Sequence, residues 1–337
     1  MTIARGLVDL EPRRADLRAE VLWGLRQRPK RLPCKLLYDT RGSELYERIT
    51  RLPEYYPTRT EIAIQRAHVG EIAALVGRGA MIVEYGSGSS EKTRMLLDHL
   101  EAPAAYVPVD ISRYALLEAA EALQQEYPAI EIRPVCADYT EPFELPEVER
   151  VVRRRVVYFP GSTLGNFERA DASAFLRRIA RAGEPGDALL LGLDLDKDRS
   201  VLEAAYDDAR GVTADFNRNI LRHVNSAVGG DFDPERFEHV AFYDNAERRI
   251  EMHLRSDSDQ IVRVGGERIT LQAGEMIWTE SSYKYRLEEI DTLARGSGFR
   301  LVRLWTDPAA WFSSSYLVVA GVRRRLSPET APTAARS

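Results

Sequence analysis

The chain has 337 residues, with 47 Lys and Arg against 52 Asp and Glu, a formal net charge of −5. That length suits about two domains and can bury a large core without disulfide or metal staples. The mild acidity argues against a nucleic-acid partner, which needs a basic face, and no apolar run is long enough to span a membrane.

Charges occupy the N-terminal stretch where a signal peptide needs apolar residues. Cys34 and Cys136 lie far apart and form no CxxC, which points to a reducing cytoplasm. The first 60 residues carry helix signals and the turn-rich segment LPEYYPTRT. Short apolar, β-branched runs follow at 81–85 (MIVEY), 105–110 (AYVPVD), 130–138 (IEIRPVCAD), 155–160 (RVVYFP) and 188–193 (ALLLGL). Helical patterns such as 93–100 and 114–127 lie between them. Strands alternating with helices imply βαβ units, an α/β class and a parallel, doubly wound sheet. Runs such as RVVYFP barely alternate, as expected of a sheet covered on both faces.

The pattern breaks after Asp196 and resumes with strands at 299–306 (FRLVRLWT) and 316–322 (YLVVAGV). The gap is roughly a hundred residues, where a βα unit needs a few tens. It holds one long helical pattern over 202–224 and alternating segments at 237–243, 248–255 and 260–264. These predict an inserted α+β subdomain that packs with the first 60 residues. The expected division is 61–196 plus 287–323 for the sheet domain and 10–60 plus 197–286 for a discontinuous second domain, with a disordered tail over 326–337. The basic runs RVVRRR and VRRR flank predicted strands and read as solvated edges.

Glu84-Tyr85-Gly86-Ser87-Gly88-Ser89-Ser90 closes the first strand and opens a helix. Glycines there let the backbone approach a ligand, and the helix N-terminus favours anions. Asp110 ends the second strand, where a carboxylate can hold both hydroxyls of a ribose, and Asp138-Tyr139 ends the third. A dinucleotide loop wants a third glycine where Glu91 stands, and a carboxylate there would repel a pyrophosphate. S-adenosylmethionine has no phosphate and carries a sulfonium cation, so it is the better reading. Lys92 opposes the helix macrodipole unless it meets an anion such as the methionine carboxylate.

The fourth strand runs into Phe159-Pro160-Gly161-Ser162-Thr163-Leu164-Gly165-Asn166-Phe167. This turn faces the reactive end of a cofactor bound outside the strand ends. Asn166 can accept from an amine and donate to a carboxylate, or simply cap the next helix.

Six spaced stretches carry a family resemblance: YDTRGSELYERITRLPEYYPTRTE, EYGSGSSEKTRMLL, FPGSTLGNF, AAYDDARGVTADFNRNIL, IEMHLRS and WTESSYKYR. The chain resembles the bacterial histidine Nα-methyltransferases of ergothioneine biosynthesis over about residues 35–322. The resemblance implies a class I (Rossmann-like) methyltransferase sheet with a separate substrate-recognition domain, and S-adenosylmethionine as cofactor. It implies that Gly86, Lys92, Asp110, Asp138 and Tyr139 hold the cofactor, and the reading of the loop adds Glu84, Ser87 and Gly88. Glu280 and Ser282 would grip the imidazole of L-histidine. Gly161, Asn166, Tyr206 and a tyrosine of the pair Tyr55 and Tyr56 would hold its amino and carboxylate groups, with Tyr55 favoured. Tyr38 would lie near the amine, and Met252 and Tyr46 would line the pocket. Tyr46 and Tyr139 stand where the family pattern has phenylalanine. Tyr38 and Tyr55 are the candidates for relaying the amine proton.

The five histidines, His68, His99, His223, His239 and His253, show no paired ligand spacing, so no metal is expected. A monomeric enzyme acting on a small molecule is expected. Competing readings are the same fold acting on another amino acid such as a tryptophan derivative, an NAD-dependent oxidoreductase, or a non-catalytic adenosylmethionine-binding module.

Overall fold

The computed structural model describes residues 7–10, 14–87 and 91–321. The N-terminal part holds β1 (Val8–Asp9), α1 (Arg14–Arg26), β2 (Lys30–Arg31), a 3-10 turn over Cys34–Leu37, α2 (Thr40–Thr50) and α3 (Tyr56–Val76). The sheet region then alternates β3 (Ala80–Tyr85), α4 (Glu91–Leu97), β4 (Ala105–Asp110), α5 (Arg113–Glu126), β5 (Glu131–Ile132), β6 (Val135–Cys136), β7 (Arg154–Phe159), α6 (Arg169–Ala182) and β8 (Ala188–Asp194). The insertion holds α7 (Arg199–Tyr206), α8 (Val212–Val228), β9 (Phe237–Asp244), β10 (Arg249–Ser256), β11 (Gln260–Val264), β12 (Glu267–Leu271) and β13 (Met276–Tyr283). The chain returns through α9 (Leu287–Gly296), β14 (Phe299–Thr306) and β15 (Phe312–Val319).

The large sheet runs β1-β6-β4-β3-β7-β8-β15-β14, with β5 beside β4. Neighbours from β4 to β8 are parallel, and β15 is antiparallel to both β8 and β14. Period-2 alternation divides its side chains between two faces. Ile82, Val156, Tyr158 and Leu190 pack with Ile64, Ile72 and Val76 of α3. Phe159, Leu189, Leu191 and Leu193 pack with Phe175 of α6 and Ile290 of α9. The chain leaves β3 toward β4 on one side and places β7 on the other, so a crevice opens at their carboxyl ends.

A second sheet, β2-β13-β10-β9, joins β2 of the N-terminal part to three strands of the insertion, which also holds the hairpin β11-β12. One apolar core joins Val21 to Tyr56 in the N-terminal part with Leu202 to Ile277 in the insertion. The boundary expected at 60/61 falls inside α3. The first turn of that helix, Tyr56, belongs to this core, while Ile64, Ile72 and Val76 belong to the sheet. A helix rather than a linker therefore carries the crossing.

Several elements differ from the sequence reading. The run 130–138 is two short strands, because Pro134 has no N–H to continue the ladder. The last strand begins at Phe312, since the polar Ser313, Ser314 and Ser315 are buried in it. The helical pattern 202–224 breaks after Tyr206: Asp208 accepts from the backbone N–H of Val212 and Thr213, and Gly211 takes a left-handed φ of 70°. β1, β2 and β12 are not among the expected strands. The expected tail at 326–337 and Gly88 lie outside the described residues.

Candidate active site

The cofactor side is built where β3, β4 and β6 end. Gly86 takes φ 72° and its N–H bonds Val109 O at 2.9 Å, while an added Cβ would meet nothing. Backbone is thus left bare toward the crevice, as a closely approaching ligand requires. Asp110 accepts from the Ser112 N–H at 2.8 Å. Tyr139 stacks on Tyr85 with ring planes 5° apart, which forms an aromatic wall behind Asp138. Asp138 accepts from Thr140 and from Lys35, at 3.1 Å, on the N-terminal 3-10 turn. Although burial works against its charge, these partners hold its carboxyl below the usual range.

Glu84 departs from its expected role as a cofactor contact. It is 3% exposed, and its carboxylate accepts from Thr93 Oγ1 at 2.6 Å and Tyr106 OH at 2.7 Å. It fastens α4 to the strands instead of facing the crevice, and burial pushes its carboxyl up to about 7. Ser87 is likewise buried. Lys92 does meet an anion, but the partner is Glu61 of α3, at 2.6 Å. Glu61 also accepts from the Gly161 N–H, at 2.9 Å to one carboxylate oxygen. One carboxylate therefore ties the first turn of α4 to the turn after β7. Sequence reasoning missed Glu61, because an acidic residue on a helix reads as solvent-facing. The signal was Gly192 in the fully buried β8: a Cβ there would come within 2.2 Å of Glu61 Oε1.

The side expected to take the acceptor is a narrow cavity. Tyr38, Tyr46, Tyr55, Gly161, Asn166, Tyr206, Met252, Glu280 and Ser282 all line it, together with Phe216 and Thr213 of α8. Asp39 helps to assemble this wall: it caps α2 through the Gly42 N–H and accepts from Asn219 of α8, both at 2.7 Å. Asn166 ends a 3-10 turn, while Glu168 holds the N-cap position of α6, so the capping alternative does not apply. Glu280 and Ser282 share a face of β13, and a bulge at Met252/His253 keeps Met252 opposite Glu280. Tyr46 and Tyr55 hydroxyls lie 3.3 Å apart.

Tyr56 is a correction. Its hydroxyl donates to Asp194 at 2.7 Å, its ring meets Trp311 edge-on, and it is fully buried outside the cavity. Successive residues at the entry to α3 point in different directions, so only Tyr55 reaches the pocket. Beneath the cavity, Asp194 also pairs with Lys197 at 2.6 Å and Lys284 at 2.8 Å. Lys284 donates on to Ser282 Oγ and Tyr206 OH. The strand alternation 280-282-284 carried the signal for Lys284, which a reading of lysines as surface residues passes over.

Electrostatics set the pocket apart. Glu280 Oε2 is buried with no hydrogen-bond partner. Burial pushes the Glu280 carboxyl up to about 7, against the pull of Lys284 and a hydrogen bond from Tyr38. Burial also raises Tyr38 and Tyr55 well above the ordinary phenol range. Among the described residues, no group of three or more His, Cys, Asp and Glu could hold a metal ion. No helix among them is long and apolar enough to cross a membrane.

A doubly wound sheet with carboxylates at its strand ends, opening onto a separate polar cavity, defines an enzyme that joins a nucleoside cofactor to a small acceptor. Residues 17–319 match the family model described as histidine-specific methyltransferase, SAM-dependent, and the chain belongs to that family. It is an S-adenosylmethionine-dependent methyltransferase. Histidine N-alpha-methyltransferase of Mycobacterium tuberculosis is 47% identical over 304 residues, covering 89% of this chain and 94% of that one. The protein of the same name from Mycolicibacterium smegmatis is 47% identical over 307 residues, covering 90% and 94%. Ergothioneine biosynthesis protein 1 of Neurospora crassa is 34% identical over 296 residues, covering 82% of this chain and 32% of that one.

Proposed function

We propose that this chain methylates the α-amino nitrogen of L-histidine in successive steps to the trimethylammonium betaine hercynine, the first step of ergothioneine biosynthesis. The observation that carries the reading is the buried, partnerless Glu280 Oε2 beside the Ser282 hydroxyl in the acceptor cavity. A neutral imidazole has one donor and one acceptor nitrogen, and this pair answers both. An indole has no acceptor nitrogen and would leave the serine unanswered, which disfavours a tryptophan derivative.

The crevice residues suit S-adenosylmethionine. A bare backbone at Gly86 and carboxylates at the strand ends fit a cation without phosphate. In this reading Gly86 and Gly88 let the cofactor approach, Asp110 holds its ribose, and Asp138 and Tyr139 face its adenine. Lys92 keeps hydrogens beyond the one it gives Glu61 for the methionine carboxylate. The cofactor supplies a methyl group on a good leaving group, so the chain chiefly aligns and shields. Tyr55, Asn166 and Tyr206 hold the amino acid's charged groups, and an aromatic wall of Tyr38, Tyr46 and Phe216 surrounds the amine. Such rings stabilise a growing cationic head by roughly 0.5–2 kcal/mol.

The amine must lose a proton before it attacks. Tyr38 and Tyr55 hold their own protons too tightly to act as tyrosinate bases. Tyr38 can still relay, accepting the amine proton while passing its own to Glu280, whose carboxyl sits at about 7. We assign 61–196 plus 287–323 to cofactor binding and 10–60 plus 197–286 to substrate recognition. The shared core of the latter pieces supports this division. In this reading the chain is a monomer in the cytoplasm.

Titration of L-histidine into enzyme saturated with S-adenosylhomocysteine tests the reading. Glu280→Ala should weaken histidine at least about 100-fold. An unchanged affinity would mean that the ring is not read by Glu280.

A further inference from the structure

Lys284 follows β13 and is 0% exposed, in a wall of the acceptor pocket that it does not itself line. Its ammonium has three acceptors: Asp194 Oδ2 at 2.8 Å, Ser282 Oγ at 2.8 Å and Tyr206 OH at 3.1 Å. An ammonium has three hydrogens, so none is left for a ligand. The two hydroxyls lie 2.7 Å from each other. Between them they own two hydrogens, and one is spent on their mutual bond. One hydrogen therefore remains for the cavity.

Which oxygen keeps it follows from acidity. A phenol is a stronger donor and poorer acceptor than an aliphatic hydroxyl. Tyr206 therefore donates to Ser282. The serine oxygen then accepts from both Tyr206 and Lys284, its lone pairs are filled, and its own hydrogen turns to the cavity. Without the lysine, the serine oxygen would keep a lone pair and could rotate to accept from a ligand N–H instead.

We infer that Lys284 is a positioning residue that fixes the Ser282 hydroxyl as a hydrogen-bond donor, so that the pocket selects a ring with an unprotonated nitrogen on that side. The inference rests on the histidine reading and deepens it. With Glu280 accepting on the other edge, the pocket takes neutral imidazole in a single tautomer. A ring with N–H on both edges meets a donor it cannot answer. The lysine's own charge is secure. Burial alone would push its ammonium toward neutrality, but Asp194, then Tyr206, outweigh burial and hold it above the ordinary lysine range.

The test compares kcat/KM for L-histidine with two kinds of analogue. The pyrrol-2-yl and pyrrol-3-yl alanines keep a ring N–H and lack an acceptor nitrogen. Thiazol-4-ylalanine keeps the acceptor nitrogen and lacks the N–H. In Lys284→Met the preference for histidine over the pyrrolylalanines should fall by about tenfold or more, the size of one hydrogen bond in a buried site. The preference over thiazolylalanine, read by Glu280, should stay within about threefold of the wild-type value. Ser282→Ala should collapse the same ratio, and Lys284→Arg should restore it. If Lys284→Met lowers activity on every substrate alike, the lysine merely supports the fold and the inference is overturned. If Lys284→Met does not fold, NMR of ring-nitrogen-labelled L-histidine bound to the wild-type enzyme with S-adenosylhomocysteine carries the test. One ring nitrogen should show the shift of an unprotonated, hydrogen-bonded acceptor and the other that of an N–H. A bound ring with both nitrogens protonated would overturn the inference. Wild-type enzyme that leaves histidine unmethylated would sink the functional reading itself, a failure distinct from an altered ratio.

Discussion

Glu280 combines the two demands of a recognition site, a buried acceptor and a place to aim it. Its folded carboxyl lies at about 7, above the 4.5 of a free glutamate, so the folded state holds the proton more tightly. Stability therefore falls as pH rises from about 4.5 to 7 and is level above that, by roughly 3 kcal/mol for this group. Glu280→Gln lacks this loss. Urea melts without ligand should show the variant gaining on wild type between pH 5 and pH 8; a constant difference would contradict the burial argument. The proposed relay predicts that Tyr38→Phe lowers kcat by about 100-fold at neutral pH with a smaller change in histidine affinity. Turnover unchanged across pH would exclude it. Glu280 and Ser282 were legible only through the resemblance carried by WTESSYKYR, since strand alternation puts them on one face without saying whether that face meets solvent or a pocket. The same rule reached Lys284, but a lysine reads as solvated until Asp194 is seen beside it. Tyr55 and Tyr56 could not be separated in sequence, since adjacent residues at a helix entry diverge only in three dimensions.

Among the elements, β8 and the break between α7 and α8 set the site most directly. β8 carries Gly192 so that Glu61 can lie against it, and ends at Asp194 beneath the pocket. Gly192→Ala must displace the Glu61 carboxylate, and with it the Gly161 N–H and Lys92. Such overpacking costs about 1–3 kcal/mol. The variant should therefore show a lower Tm together with weaker S-adenosylmethionine binding, and an unaltered cofactor affinity would separate Glu61 from the cofactor side. The break at 207–211 leaves Tyr206 at a helix end facing Ser282. The signal DDARG was present, with an aspartate cap and a left-handed glycine, yet the apolar periodicity ran through it. Asp208→Ala removes three backbone hydrogen bonds, one from Arg210 in the turn and two from Val212 and Thr213 at the start of α8. It should cost about 1–2 kcal/mol, read in urea melts, and an unchanged midpoint would show that the turn holds without it.

The whole molecule is two packed cores that share α3, with the crevice proposed for the cofactor at the strand ends of one and the cavity proposed for the acceptor lined by residues of both. The parallel sheet was legible because βαβ alternation is strong and local. The discontinuous second core was legible as a break in that alternation, a gap of roughly a hundred residues holding a long helical pattern and alternating segments. The antiparallel arrival of β15 between β8 and β14 was not, since nothing local in FSSSYLVV marks its direction. Because one helix serves both cores, calorimetry should show a single transition, and two resolved transitions would contradict that coupling. S-adenosylhomocysteine at 100 times its Kd should add about 2.7 kcal/mol of stability. The central claim is that this pocket selects histidine for methylation at its α-amine. The most direct measurement incubates the enzyme with S-adenosylmethionine and an equimolar mixture of free amino acids, and follows methyl gain by mass spectrometry. The account predicts that histidine alone gains methyl groups, ending at three on the α-nitrogen with its ring nitrogens unmodified. Methyl groups on another amino acid, or on the histidine ring, would contradict it.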